Sequence, residues 1–400
     1  MNYDAIIVGG GLAGSTLATQ LVRAGYKILV LEKETRFKDR VRGENMLPWG
    51  VAAAQRLGIL DELLNAGGIQ PPYFTTYIGG RASEPRDLKA TTPDAVGQLN
   101  MYHPDMQEVL LQSTIKAGSD VRRGITVIGI SSGPDREPSV TFESNGKKET
   151  LSSRLVIGAD GRSSQVRSWG KFEVQRNPDL LMIAGTLIQG TDAPDHSVHL
   201  LFGEGIASLL APLGQKRARV YFVYPGIGGR RGLSGSDKVP QFLEFCQQAG
   251  APASWFQNVD SIGPLAEFNG ADHWVNSPAK DGVVLVGDAA AASDPSWGSG
   301  LSLTVLDVEN LANSLKSTSD WKAALANYAQ KHDEYYGALH RILEWMTELF
   351  WSFGPEADAR RAKVLQRMSE DPRGFPDSIG LGPFGPSDDN ARKLLLGIGY

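Results

Sequence analysis

The apolar run Ala5–Val8 leads directly into Gly9-Gly10-Gly11-Leu12-Ala13-Gly14, and this junction constrains the fold more than any other stretch. A short apolar run ending in glycines reads as a buried parallel strand. Leu12–Arg23 then carries Leu17, Leu21 and Val22 at helical spacing, Gly25 stops the helix, and Lys27–Leu31 reads as a second strand. A strand, a crossover helix and a parallel neighbour close with right-handed sense. The G-x-G-x-x-G spacing alone is weak, because a chain with 46 glycines in 400 residues offers roughly half a match by chance. Its place between strand and helix is what makes it informative. Gly9 permits a tight turn, Gly11 lets a pyrophosphate approach the backbone, and Gly14 lets helix and strand pack closely. The N–H groups at the helix start, around Leu12 and Ala13, favour an anion by about 0.3–2 kcal/mol. Glu32, followed by Lys33, ends the second strand near the ~20-residue spacing at which a carboxylate accepts from ribose hydroxyls. An acid there disfavours a 2′-phosphate, so the fingerprint selects a dinucleotide other than NADP.

Bulk properties narrow the class further. Four hundred residues imply two or three domains, and 41% hydrophobic content is ample for packed cores. The formal charge of −5 comes without runs of like sign, so neither nucleic acid nor an anionic membrane is an expected partner. The single cysteine, Cys246, cannot form an internal disulfide; among Phe242, Leu243 and Phe245 it reads as a buried helix residue. No signal-peptide pattern precedes the first strand and no apolar run reaches bilayer length, so the expected location is cytoplasmic. No residue is assigned to a metal.

Along the chain, residues 36–99 read as irregular with one helical patch at Val51–Ala66. Met106–Ala117 reads as amphipathic helix, followed by strands at Ile125–Ile130, Ser139–Ser144 and Leu155–Ile157. From Phe172 to Asp272 the pattern changes to alternating runs, Leu180–Ile188, Val198–Phe202 and Arg219–Tyr224, which suggest antiparallel strands. Val283–Val286 is another buried strand before a helix from Gly300 to Leu315. The expected organisation is a discontinuous dinucleotide domain (residues 1–171 and 273–320), an inserted substrate sheet (172–272), and a C-terminal helical region with a Gly/Pro-rich tail (321–400).

Two further stretches choose the dinucleotide. Arg154–Ile157 is an apolar strand ending in Gly158-Ala159-Asp160-Gly161-Arg162-Ser163-Ser164, and Val283–Val286 ends in Gly287-Asp288-Ala289-Ala290. With the first fingerprint, and in this order, they resemble the para-hydroxybenzoate-hydroxylase-like class of FAD proteins, which includes aromatic hydroxylases, flavin-dependent halogenases and geranylgeranyl-reductase-like enzymes. The resemblance implies an α/β fold, a Rossmann-like FAD-binding domain of the GR2 type with an inserted antiparallel-sheet substrate domain. It implies FAD as cofactor and NAD(P)H as a transient reductant. Residue by residue, it assigns Asp288 to the flavin ribityl chain and Asp160 to the pyrophosphate region. Arg42 crosses the phosphates and the Val127 backbone meets adenine. His103 stands where the class commonly has Arg or Gln, and a neutral imidazole still donates one hydrogen bond. The segment Asp294-Pro295-Ser296-Trp297-Gly298-Ser299-Gly300-Leu301 would pass beside the isoalloxazine. Pro295 lies near its reactive edge, and the N–H groups from Gly298 to Leu301 would stabilise charge on the reduced ring.

The function this implies is NAD(P)H- and O2-dependent hydroxylation or epoxidation of a small electron-rich substrate through a C4a-hydroperoxyflavin, with reduction by a partner flavin reductase as an alternative. Glu44 and Asp294-Pro295 lean towards the halogenase and reductase branches. No two of the eight tryptophans stand two residues apart, so the halogenase W-x-W-x-I-P motif is absent, and Lys89 is the only candidate for its lysine. A flavin-binding protein without turnover is the non-enzyme alternative. The inserted sheet should roof the pocket, with His199, Phe202, Tyr221 and Tyr224 on its strands and Trp297 below. No catalytic base is nominated; Pro295, Gly298, Ser299 and Gly300 are the expected flavin neighbours.

Overall fold

The computed structural model describes residues 3–134, 136–144, 146–226 and 232–399. The first strand, β1 (Tyr3–Val8), is followed by α1 (Leu12–Arg23) and β2 (Ile28–Glu32). β1 lies between β2 and Lys147–Gly158, parallel to both. Val283–Leu285 continues the parallel sheet on one side and Asp120–Arg123 on the other. The run reads as continuously apolar because both faces are covered. Ala5 and Ile7 enter the core under α1 and the helix Gly300–Ser317, while Ile6 and Val8 enter a second core with Phe142, Val156 and Val166. Thr126–Gly133 and Arg136–Ser144 fold back antiparallel from Lys147–Gly158.

The second sheet has Leu181–Gln189, Arg217–Pro225, Ala207–Pro212 and Ser197–Phe202 as successive antiparallel neighbours. The sheet does not end there. Tyr73–Ile78 adds to it in parallel with Ser197–Phe202, and Arg86–Asp87 pairs with Tyr73–Ile78 in turn. These strands come from the stretch read as irregular and from within the 1–171 segment, so the substrate sheet is itself assembled from two parts of the chain. The expected helical patch at Val51–Ala66 is two helices, Pro48–Arg56 and Leu60–Asn65, broken at Gly58 with φ +70°.

The outer face of this sheet packs on the helix Val239–Gln248, with Phe242 and Cys246 buried against Val220 and Phe222. Burial pushes the Cys246 thiol up to about 12, so it is a core residue. The inner face, with Leu181, Ile183 and Val223, looks back towards the first domain. The helix Trp321–Phe350 bridges the two sheets. Its Tyr328 hydroxyl donates to the Leu285 carbonyl (2.9 Å), and Ile342, Trp345 and Leu349 bury the tail residues Phe375, Leu395 and Leu396. The Gly/Pro-rich tail thus joins a further core and carries the helix Asp389–Leu396, after the helix Pro355–Glu370. Among the described residues no helix is long and apolar enough to cross a membrane.

Candidate FAD and substrate site

The three strand ends lie abreast. The Gly9 N–H donates to Leu31 O (2.9 Å), Ala159 N–H to Val8 O (2.8 Å) and Val286 N–H to Gly158 O (3.0 Å). Contact at the turns is close enough to require glycine. A Cβ on Gly9, whose φ is +103°, would stand 2.4 Å from the Ala159 carbonyl oxygen, and one on Gly14 would stand 1.9 Å from that of Gly9. A Cβ on Gly287 would meet that of Ala13 at 3.4 Å. The three glycine-bearing stretches thus form one cradle.

The cradle leaves polar groups unspent on the cofactor side. Neither α1, starting at Gly11, nor the helix Gly300–Ser317, starting at Ser299, has a side-chain cap; their first N–H groups have no helical acceptor. The hydroxyls of Thr16, Ser293, Ser296 and Ser299 are buried without a partner, and such groups are rare unless a ligand completes them. Among the described residues neither Arg42 nor Arg162 has a carboxylate within ion-pair distance. Burial, then the neighbouring Arg162, lowers the Arg42 pKa. Burial raises that of Asp288, against the pull of Arg162, Arg42 and His103. Two unpaired guanidiniums around a carboxylate, facing two uncapped helix starts, suit a pyrophosphate with a polyhydroxylated chain. The residues fit FAD.

The other expected site residues are placed as follows, several of them bonded within the protein. Glu32 is buried, its Oε2 accepting from Gly10 N–H (2.6 Å) and Oε1 from Glu34 N–H (2.7 Å), with lone pairs left for a ribose. Lys33 is exposed. The Asp160 carboxylate accepts from Ser164 Oγ (2.5 Å), Gln165 N–H (2.7 Å) and Val166 N–H (3.1 Å). Three of its bonds go to the start of the helix Gln165–Trp169, and it shapes the loop bearing Arg162. His103 Nδ1 bonds the Gly43 carbonyl (2.9 Å) and so steadies the Arg42 loop. Val127 pairs with Phe142, two residues after Ile125, whose N–H donates to Glu32 O. Pro295, Gly298, Ser299, Gly300 and Leu301 follow Asp288 into the helix Gly300–Ser317, where Leu301 packs beside Gly43.

The five roof residues divide. Side chains alternate along a strand, so His199 and Phe202, three apart, face opposite ways, as do Tyr221 and Tyr224. Phe202 stacks on Phe350 (4.5 Å) and approaches Trp297 (6.4 Å) on the inner face, and Tyr221 lies there too. His199 and Tyr224 face outward and are corrections to the expected pocket. His199 packs on Trp255 (4.7 Å), bonds Pro194 O (2.9 Å) and has its pKa lowered by burial; Tyr224 donates to Glu267. Lys89 is exposed on the short helix Leu88–Thr91.

Two polar networks escaped the sequence reading. Asp307, fully buried, accepts from Gly287 N–H (2.8 Å), His332 (3.0 Å) and Tyr335, holding the turn that presents Asp288. Its signal was an acid between Leu306 and Val308 on the buried stretch of the helix Gly300–Ser317. At the domain junction Arg219, 0% exposed, reaches both Asp39 oxygens (2.9 Å) and Glu44 (2.8 Å), while Tyr221 donates to Glu44 (2.5 Å). Burial opposes the Arg219 charge, but Glu44, Tyr221 and Asp39 outweigh it and raise its pKa.

Beyond the Asp294–Pro295 segment lies a cavity of about 340 Å³ between the sheet's edge and the helix Trp321–Phe350, lined by Leu181, Pro225, Asp272, Asp294, Leu343 and Trp351 among others. Behind it His340 bonds Asp272 (3.0 Å) and Glu344 (3.4 Å). Burial disfavours the imidazolium, but these two partners prevail and raise its pKa to about 9. A folded-state pKa above the unfolded value of about 6.5 contributes stability that is complete below that value and lost as pH rises through about 9. The expected loss is on the order of 3 kcal/mol. Thermal unfolding followed from neutral to alkaline pH should show it, and His340→Gln should flatten that slope; an unchanged slope would remove the pair's role.

Comparison with known proteins agrees with this geometry. A family model described as an FAD binding domain matches residues 2–334. The chain is 27% identical over 364 residues to the rifampicin monooxygenase of Streptomyces venezuelae, covering 86% of this chain and 70% of that protein. It is 27% identical over 307 residues to digeranylgeranylglycerophospholipid reductase 1 of Methanococcoides burtonii, covering 75% and 71%. Among solved structures, p-nitrophenol 4-monooxygenase from Pseudomonas putida aligns with a TM-score of 0.78 at 20% identity, over 92% of this chain and 94% of that one. A flavin-dependent brominase aligns at 0.75 and 15% identity, over 99% and 98%. At those identities the structural matches establish the fold. The chain belongs to the FAD-binding-domain family, in its para-hydroxybenzoate-hydroxylase-like class, and is an FAD-dependent oxidoreductase.

Proposed function

We propose that the protein is a monooxygenase that consumes NAD(P)H and O2 to insert one oxygen atom into an organic substrate, releasing NAD(P)+ and water. The observation that carries this reading is the cavity bounded by Asp294 and by the inner face of the second sheet, next to the helix start at Ser299. FAD, when bound, supplies the electron transfer and the activation of oxygen. The chain's own residues do the rest. Gly9, Gly11, Leu12, Ala13 and Gly14 would receive the pyrophosphate with Arg42 opposite, Glu32 the ribose, and Asp288 the ribityl hydroxyls. The N–H groups of Gly300 and Leu301 would oppose negative charge developing on the ring, a preorganised electrostatic effect. Phe202, Tyr221 and Trp297, on the inner face beside the cavity rather than in its lining, would shield the flavin side from water.

The rifampicin monooxygenase relative is in keeping with oxygenation. A halogenase reading would want a lysine at the cavity, and among the described residues its lining holds none. The test is to load the protein with FAD and follow NADH and NADPH oxidation with and without candidate substrates. Substrate-stimulated oxidation coupled to an oxygenated product is expected. Strict halide dependence would overturn the reading, as would reduced flavin that transfers hydride to an alkene without O2. Activity only with an added flavin reductase would keep oxygenation and change the electron source.

A further inference from the structure

We propose that the cavity between the second sheet and the helix Trp321–Phe350 selects a lipophilic amine, an apolar body whose protonated nitrogen rests against Asp294 and Asp272, and that it turns anionic substrates away. This deepens the reading above and rests on it. Every ionisable side chain lining the cavity is acidic: Asp272, Asp294, Glu344 and Glu348. The cation paired with two of them, His340, is shared between Asp272 and Glu344, so the carboxylates outnumber it. Arg162, close enough to Asp294 to oppose its protonation, gives a guanidinium N–H to the Ala271 carbonyl and has neither acid within ion-pair distance among the described residues. The Tyr336 hydroxyl, near Asp272, is neutral and unpartnered. An entering carboxylate would meet four lining acids and an ammonium would meet opposite charge, while the nearby cations Arg162 and Arg361 are turned to the backbone carbonyls of Ala271 and Ser352.

The cavity is more than an acidic cluster. Its remaining walls are apolar, from Leu181, Pro225, Leu343 and Trp351. Its rim carries two large side chains open to solvent, Leu180 at 48% and Phe353 at 52%, which continue the apolar wall outward. In the wall Trp351 keeps a buried indole N–H with no acceptor, which offers one hydrogen bond to the ligand's body. The volume of about 340 Å³ suits a small aryl or bicyclic compound. Glu344 and Glu348 are exposed on the helix face at the mouth, whereas Asp272 is 4% exposed, so charge selection begins at entry and is completed inside. Asp294 Oδ1 accepts the Ser296 N–H (2.8 Å). Burial and then Asp272 push its carboxyl up to about 7; a proton holds the place that an ammonium would take.

The probe is a matched set sharing one ring system: 2-naphthylmethylamine, 2-naphthylmethanol and 2-naphthoate. Each is titrated into the FAD-loaded enzyme by calorimetry in two buffers of different ionisation enthalpy. The amine should bind at least about tenfold more tightly than the alcohol and about a hundredfold more tightly than the acid, and near neutral pH it should release a proton. Asp294→Asn should abolish the proton release and cut the amine's advantage about tenfold while leaving the alcohol unchanged. Glu348→Gln, at the mouth, provides a second variant and should weaken the amine by about two- to threefold. Equal binding of acid and amine, failure of all three to bind, or an amine preference that survives Asp294→Asn would overturn the proposal. Tight amine binding without stimulated NAD(P)H oxidation would sustain the selectivity and overturn oxygenation. Turnover of the acid but not the amine would do the reverse.

Discussion

Gly14→Val should yield a colourless protein. The new Cβ would fall 1.9 Å from the carbonyl oxygen of Gly9, and neither atom belongs to a flexible side chain, so the α1–β1 contact must open. Overpacking of this kind costs about 3 kcal/mol. The larger effect is on the cofactor, because the displaced helix start is the one whose N–H groups face the pyrophosphate. FAD affinity should fall at least about a hundredfold, read from flavin fluorescence on titration of the apoprotein. Gly129→Ala serves as control, since a Cβ there meets nothing within 4 Å; it should leave affinity and stability unchanged. A yellow Gly14→Val protein with ordinary affinity would show that the cradle does not hold the nucleotide.

The second large effect is expected at Arg219. Its guanidinium is the one cation seen to pair with both Asp39 and Glu44 among the described residues. Arg219→Met would leave two carboxylates facing a buried space with no compensating charge. Removing one partner of a buried ionic group costs about 3–5 kcal/mol, whereas replacing the whole group by apolar residues is often neutral. The urea midpoint should therefore drop sharply in Arg219→Met and recover in the triple variant Asp39→Asn, Glu44→Gln, Arg219→Met. Arg219→Lys should fall between, because an ammonium cannot span both acids with a planar fork. A single variant within about 1 kcal/mol of the parent would mean that water or rearrangement satisfies the acids. The network has a functional reach as well: Glu44 adjoins Gly43 and Arg42, so a loosened Arg219 should also weaken FAD.

What could be read from the chain beforehand follows from how local each signal is. Gly9–Gly14, Gly158–Asp160 and Gly287–Asp288 are each a strand end with its turn, and each declares its geometry within a few residues. The strand Tyr73–Ile78 is different. Its sequence, Tyr-Phe-Thr-Thr-Tyr-Ile, has the aromatic and β-branched character of a strand, but its partner Ser197–Phe202 comes only after the strands Asp120–Arg123 and Lys147–Gly158 of the other sheet, and no local pattern announces that. The errors at His199 and Tyr224 had another cause: residues three apart on a strand were assigned to one face, against a period of two. Arg219, Asp39 and Glu44 look like ordinary surface charges until the tertiary fold buries them together. The Asp272–His340–Glu344 group joins a loop to a helix in the same way.

The parallel pairing of Tyr73–Ile78 with Ser197–Phe202 has a practical consequence. Thr75 and Ser197, whose hydroxyls are 2.7 Å apart, are separated by 122 positions. A fragment cut at residues 172 and 272 would expose the bare margin of Ser197–Phe202, and a strand margin of that kind recruits other chains. Grafting a relative's specificity onto this scaffold therefore requires transplanting two pieces at once, the stretch around 73–87 together with the later block.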